Sequence, residues 1–154
     1  MAKLKEGDKA PPFKAKDQSG KTVSLGDFKG KKLILYFYPK DDTPGCTKES
    51  CNFRDNYSML RKKGFEVAGV SINNEKSHQK FAEKYDLPFT LLVDDEKKIV
   101  NDYGVWGEKK FMGRTYMGTN RTTFIISETG RIEKVITKVD TNDSAKQVLE
   151  VMKD

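Results

Sequence analysis

One run of six residues restricts the fold more than any other: Leu33-Ile34-Leu35-Tyr36-Phe37-Tyr38, apolar or aromatic at every position and stopped by Pro39. A strand with one wet face alternates apolar and polar side chains, so an unbroken run reads as a strand covered on both faces. Helices must supply the cover, and a helical pattern follows at once. Over about residues 44–63, Phe53, Tyr57 and Leu60 recur at i, i+4 and i+7 as one buried stripe, and Gly64 closes the segment. A second buried strand spans residues 65–71. The next helix turns Phe81, Ala82 and Tyr85 inward and ends before Pro88. Leu91-Leu92-Val93 predicts a short strand, and residues 96–103 a short helix. Residues 123–126 and 131–136 flank Glu128-Thr129-Gly130 as a hairpin. A last helix, about residues 143–152, faces Ala145, Val148, Leu149 and Met152 to the core. Thr22-Val23-Ser24 is an earlier strand signal, after the turn Gln18-Ser19-Gly20. From residue 33 the order β-α-β-α-β-α-β-β-α predicts an α/β fold, a mixed central sheet flanked by helices, with a right-handed first crossover. The end of the 33–38 strand and the start of the next helix then lie on the sheet rim where open α/β folds bind ligands.

At 154 residues the chain suits one domain, residues 1–154. A domain of that size hides roughly 68–70% of its extended-chain surface and needs no metal or disulfide staples. No stretch of 18 apolar residues exists, so no membrane span is expected. The opening Met1-Ala2-Lys3-Leu4-Lys5-Glu6-Gly7-Asp8 has no apolar leader core, so a cytoplasmic location is expected. Two cysteines and one histidine, His78, fall short of a structural zinc set unless a carboxylate joins them. The formal net charge is +6, but the basic residues are scattered pairs such as Lys31-Lys32 and Lys109-Lys110 among 23 acidic residues. They read as a solvated surface, with no nucleic-acid motif.

The cysteines carry the chemistry. Thr43 is placed as a helix N-cap and Pro44 as the first helical residue, which puts Cys46 in the first turn. Backbone N–H groups there lack helical partners, and with the positive end of the helix dipole they favour a thiolate. A structural cysteine gains nothing from that place. Cys51 follows five residues on, on the outer side with Asp55 and Ser58. In an ideal helix the two Cα atoms are roughly 8.7 Å apart and the side chains diverge by about 140°. A disulfide needs less than about 7 Å, so the two sulfurs bond only if the first turns of the helix unwind. Ser50, Asn52 and Gly45 are weak helix formers and ease that step.

Pro39-Lys40-Asp41-Asp42-Thr43-Pro44-Gly45-Cys46 resembles the P-x-x-x-T/S-x-x-C motif of peroxiredoxins, a family with a thioredoxin-like fold. Continued through Thr47-Lys48-Glu49-Ser50-Cys51-Asn52-Phe53-Arg54-Asp55, it is similar to the PrxQ subfamily, the bacterioferritin comigratory proteins. The likeness extends to Gly7-Asp8-Lys9-Ala10-Pro11-Pro12-Phe13 and to Arg121-Thr122-Thr123-Phe124-Ile125-Ile126. Thr122 stands where many relatives carry Ser. The resemblance implies an antioxidant peroxidase acting on hydrogen peroxide and organic hydroperoxides. Cys46 would be oxidised to sulfenic acid, and Cys51 would resolve it as an intrachain disulfide. Thr43 would hydrogen-bond thiolate and peroxide, Arg121 would stabilise both, Pro39 would exclude water, and Glu49 would orient an arginine. Thioredoxin or a similar dithiol would be the reductant, and no metal, haem or nucleotide is implied. An intrachain pair needs no second subunit, so a monomer or weak dimer is expected.

Without the resemblance, plainer readings stay open. Arg121 reads as a surface arginine beside a strand, Cys51 as a tolerated surface cysteine, and Glu49 as an acid favoured near a helix start. His78 reads as a helix-face residue. Residues 103–118, rich in glycine and aromatics, read either as a loop held down by apolar anchors or as an apolar wall beside Arg121 that admits organic hydroperoxides. Two rival functions also stand. One is a dithiol–disulfide oxidoreductase or redox sensor, disfavoured because four residues, not two, separate the cysteines. The other is a basic binding module with incidental cysteines.

Overall fold

The computed structural model describes residues 4–153. Met1-Ala2-Lys3, where the segment read for a leader begins, lie outside the described residues. A short antiparallel pair, β1 (Lys14–Lys16) and β2 (Thr22–Ser24), leads through a single 3-10 turn at Leu25–Phe28 into β3 (Lys32–Phe37). There follow α1 (Pro44–Lys62), β4 (Phe65–Ser71), α2 (Glu75–Lys84), β5 (Thr90–Val93) and α3 (Lys98–Asp102). A hairpin of β6 (Trp106–Phe111) and β7 (Arg114–Thr119) precedes β8 (Thr122–Ile126), β9 (Ile132–Ile136) and α4 (Ser144–Val151).

The main sheet runs β5-β4-β3-β8-β9, with β3, β4 and β5 parallel and β8 and β9 antiparallel to their neighbours. β3 sits at its centre, and its alternate residues enter two different cores. Ile34, Tyr36 and Tyr38 pack with Phe53 and Leu60 of α1, Phe81 of α2 and Val148 of α4. Leu33, Leu35 and Phe37 pack with Ile99 and Val100 of α3, Phe124 of β8 and Phe13. Both faces are covered, which is why no polar residue interrupts the run. Gly69 of β4 lets the Tyr36 ring lie across the sheet, since a Cβ there would sit 2.7 Å from Tyr36 Cζ.

The elements expected from residue 33 onward are present, with ends displaced by one or two residues. The stretch 103–118 departs from expectation. Tyr103 and Val105 are buried as anchors, but the rest is a regular hairpin pairing Trp106 with Thr119 through Phe111 with Arg114. Its turn is Met112-Gly113, both with positive φ, 51° and 77°. Primed turns favour Asn or Asp before Gly, so a methionine in that place hid the hairpin. Phe111, Met112, Tyr116 and Met117 are exposed, so they are not anchors of a packed loop.

Candidate active site

Thr43 ends the loop after β3 with extended backbone (φ −96°, ψ 155°) and is the N-cap of α1, with Pro44 following it. Its hydroxyl does not cap the helix; it donates to the carbonyl of Lys40 at 2.9 Å. The first helical hydrogen bond runs from Thr47 N–H to the Thr43 carbonyl, so the amides of Gly45 and Cys46 lie ahead of it in the unpaired first turn. Cys46 is fully buried on the inner stripe of α1. Pro39 is half-buried where β3 ends.

Arg121 stands between β7 and β8, beside the central strand. Its Nη2 donates to Cys46 Sγ at 3.1 Å, and its Nη1 donates to Glu49 Oε1 at 2.8 Å. Arg121 is therefore not a plain surface arginine, nor is Glu49 a plain helix-start acid: the carboxylate is wholly buried. Its Oε2 has no hydrogen-bond partner. Burial pushes the Glu49 carboxyl up to about 7, against the opposing pull of Arg121. For Arg121, burial works against the charge, but the sulfur of Cys46 and the carboxylate of Glu49 outweigh it and hold the guanidinium above its ordinary range. The result is a planar, permanently charged fork with one prong on a carboxylate and the other on a sulfur.

Cys51 is half-buried on the other side of α1, and both cysteines are free thiols. Burial raises the Cys51 thiol above its ordinary value, partly offset by Arg54. The helix between them is stitched down more firmly than its weak helix formers suggest. Ser50 is buried with its hydroxyl 2.8 Å from Tyr36 Oη. Asn52 Oδ1 accepts the Ala145 N–H at 2.8 Å, tying α1 to the start of α4, and Ser144 Oγ donates to the Glu49 carbonyl at 3.2 Å.

The structure thus brings Cys46, Arg121 and Glu49 into direct contact, while Cys51 stays apart on the same helix. Sequence reasoning missed one polar centre beside them. His78, read as a helix-face residue, is fully buried and contacts the carboxylate of Asp41 in the loop before Cys46. The signal was available: Phe81 and Ala82 lie three and four residues on, and residues so spaced share a helix face.

A mixed sheet with a cysteine at the start of the helix after its central strand, gripped by an arginine just ahead of the neighbouring strand, defines a thiol enzyme of thioredoxin-like architecture. The chain belongs to the AhpC/TSA family, whose model matches residues 6–135. It is 47% identical over 148 residues to peroxiredoxin Bcp of Bacillus subtilis, covering 96% of this chain and 94% of that one. Against peroxiredoxin Bcp of Escherichia coli K12 it is 45% identical over 154 residues, 100% and 99% of the two chains. Among solved structures, a cysteine-to-serine variant of Xylella fastidiosa PrxQ superposes with a TM-score of 0.92 at 28% identity over 99% and 97% of the chains. The bacterioferritin comigratory protein of Xanthomonas campestris, studied for alkyl peroxide reduction, gives 0.84 at 32% identity over 90% and 88%. The chain is accordingly a thiol-dependent peroxidase of the peroxiredoxin type.

Proposed function

We propose that Cys46 is the peroxide-reducing sulfur and Cys51 the resolving one. The Cys46 thiolate attacks one oxygen of a hydroperoxide; an S–O bond forms as the O–O bond breaks. The departing oxygen takes a proton and leaves as water or an alcohol, and Cys46 becomes a sulfenic acid. Arg121 donates to the sulfur and to the oxygens as charge shifts along the breaking bond. Glu49 aims that guanidinium. Thr43, whose own proton rests on the Lys40 carbonyl, offers a lone pair to the peroxide O–H. Pro39 shields the sulfur from water. Cys51 then attacks the sulfenic sulfur, water departs, and an intrachain disulfide forms. A thioredoxin-type dithiol reduces it by exchange. Hydrogen peroxide and organic hydroperoxides are both read as substrates, and a chain that resolves itself works as a monomer or weak dimer. The cycle is read as cytoplasmic; among the described residues no helix is long and apolar enough to cross a membrane.

The single observation that carries this reading is the 3.1 Å contact from Arg121 Nη2 to Cys46 Sγ, backed by Glu49. The test couples peroxide reduction to NADPH consumption through thioredoxin and its reductase. Cys46→Ser is expected to abolish turnover. Cys51→Ser is expected to form one equivalent of sulfenic acid and then stall. Undiminished cycling by either variant would remove the corresponding role.

A further inference from the structure

The loop that carries Pro39 and Thr43 is tied to a helix that contributes no reacting group. Asp41 is buried; its carboxyl accepts from Tyr38 Oη at 2.6 Å on Oδ1 and from Ser77 Oγ at 2.7 Å on Oδ2, and Oδ2 shares a 2.6 Å hydrogen bond with His78 Nδ1. Its backbone N–H donates to Asn73 Oδ1 at 2.9 Å. The other ring nitrogen of His78, Nε2, lies 2.8 Å from the carbonyl of Leu92 in β5. A carbonyl brings no proton, so Nε2 carries one, and a second lies between Nδ1 and the carboxylate. A continuous bridge therefore runs from β5 through the imidazole on α2 into the loop. Beside it Asp42, held at a left-handed φ of 58°, accepts from Lys84 Nζ at 2.8 Å and Tyr85 Oη at 2.7 Å. That second tie is exposed and screened by water, and contributes little. The buried one cannot open cheaply, since either partner alone becomes an unpaired polar group shut away from solvent.

We infer that His78 is a positioning residue for peroxide reduction, fixing through Asp41 the loop that sets Pro39 and Thr43 against Cys46. The inference rests on the reading of Cys46 as the attacking sulfur and extends the machinery to α2 and β5. His78 touches neither sulfur nor peroxide in this scheme; it holds the geometry in which a hydroperoxide is received.

Two amides separate the two ends of the bridge. In His78→Asn the amide N–H₂ stands where Nδ1 did and can still donate to Asp41; in His78→Gln it reaches towards Leu92 and abandons Asp41. Two rates are read in each full-length protein: oxidation of Cys46 by hydrogen peroxide, and alkylation of Cys46 by iodoacetamide, resolved by peptide. His78→Gln is expected to slow peroxide oxidation about tenfold or more, the scale of a misplaced binding group, with alkylation within about twofold. His78→Asn is expected to keep the peroxide rate within about threefold of wild type. A His78→Gln protein as fast as wild type with peroxide, or equally impaired with both reagents, overturns the inference, as does His78→Asn falling as far as His78→Gln. Should His78→Gln fail to fold, Tyr38→Phe removes one donor to Asp41 and keeps the ring packed. An unchanged peroxide rate there overturns the inference too, and about threefold slowing with alkylation unchanged supports it. A wild-type chain inert towards peroxide would instead sink the underlying reading of Cys46.

Discussion

A Cβ on Gly45, the second residue of α1, would press on the arginine, 3.3 Å from Arg121 Nη2. That nitrogen is the one on Cys46 Sγ, and the other prong of the guanidinium is held by Glu49, so the arginine has little freedom to retreat. Gly45→Ala should therefore slow Cys46 oxidation by about tenfold, since a small misplacement of a binding group is costly. Its folding stability should be unchanged or higher by up to about 1 kcal/mol, because alanine is the better helix former. Wild-type peroxide kinetics in that variant would show that the contact yields harmlessly. Helix-start physics placed Thr43 at the N-cap and Cys46 in the first turn, while the roles proposed for Pro39 and Cys51 come from likeness to a family. Arg121 was legible only by likeness to a family, because 75 residues separate it from Cys46 and no local pattern joins them. For His78 the helix face could be read from Phe81 and Ala82, but not its partner Asp41, 37 residues away in the chain.

At the scale of elements, strands and helices with both a period and a terminator could be read directly, as β3 with Pro39 and α1 with Gly64 illustrate. β6 and β7 could not, because Trp106–Phe111 lacks alternation and the turn begins with methionine. The spacing of the cysteines indicated that α1 must unwind before they bond, but not what resists the unwinding. Weak helix formers lower the local cost, yet tertiary contacts dominate. Ser50 is bonded to Tyr36, and Asn52 accepts the Ala145 N–H at the start of α4. Losing such a cap costs about 0.5–2 kcal/mol, which appears in the reduced form and is relieved in the unwound one. Asn52→Ala should thus speed disulfide closure after a pulse of peroxide, by about twofold to thirtyfold if the whole cap energy is recovered on unwinding. Rapid-mixing kinetics would decide the point, and closure no faster than in wild type would mean that Asn52 does not resist unwinding.

For the whole molecule, the site makes stability depend on pH. The Glu49 carboxyl is raised to about 7 in the fold, chiefly by burial, so it keeps its proton where an unfolded chain has lost it. Between the ordinary carboxyl value, about 4.3, and 7 the folded state holds the extra proton, and stability falls as pH rises. Complete loss amounts to roughly 4 kcal/mol. Urea unfolding at pH 5 and pH 7.5 should show the wild type losing stability relative to Glu49→Gln over that interval; a constant difference between the two would rule out a raised carboxyl. The tie between α1 and the core reaches further still. Under the proposed cycle the oxidised chain has surrendered the contacts of Ser50 and Asn52, and a closed thermodynamic cycle returns that deficit as driving force for reduction. Each loss of about 1.4 kcal/mol lifts the midpoint of the thiol–disulfide couple by about 30 mV. A helix fastened firmly in the reduced protein therefore makes its oxidised counterpart an electron acceptor that an ordinary cellular dithiol can discharge.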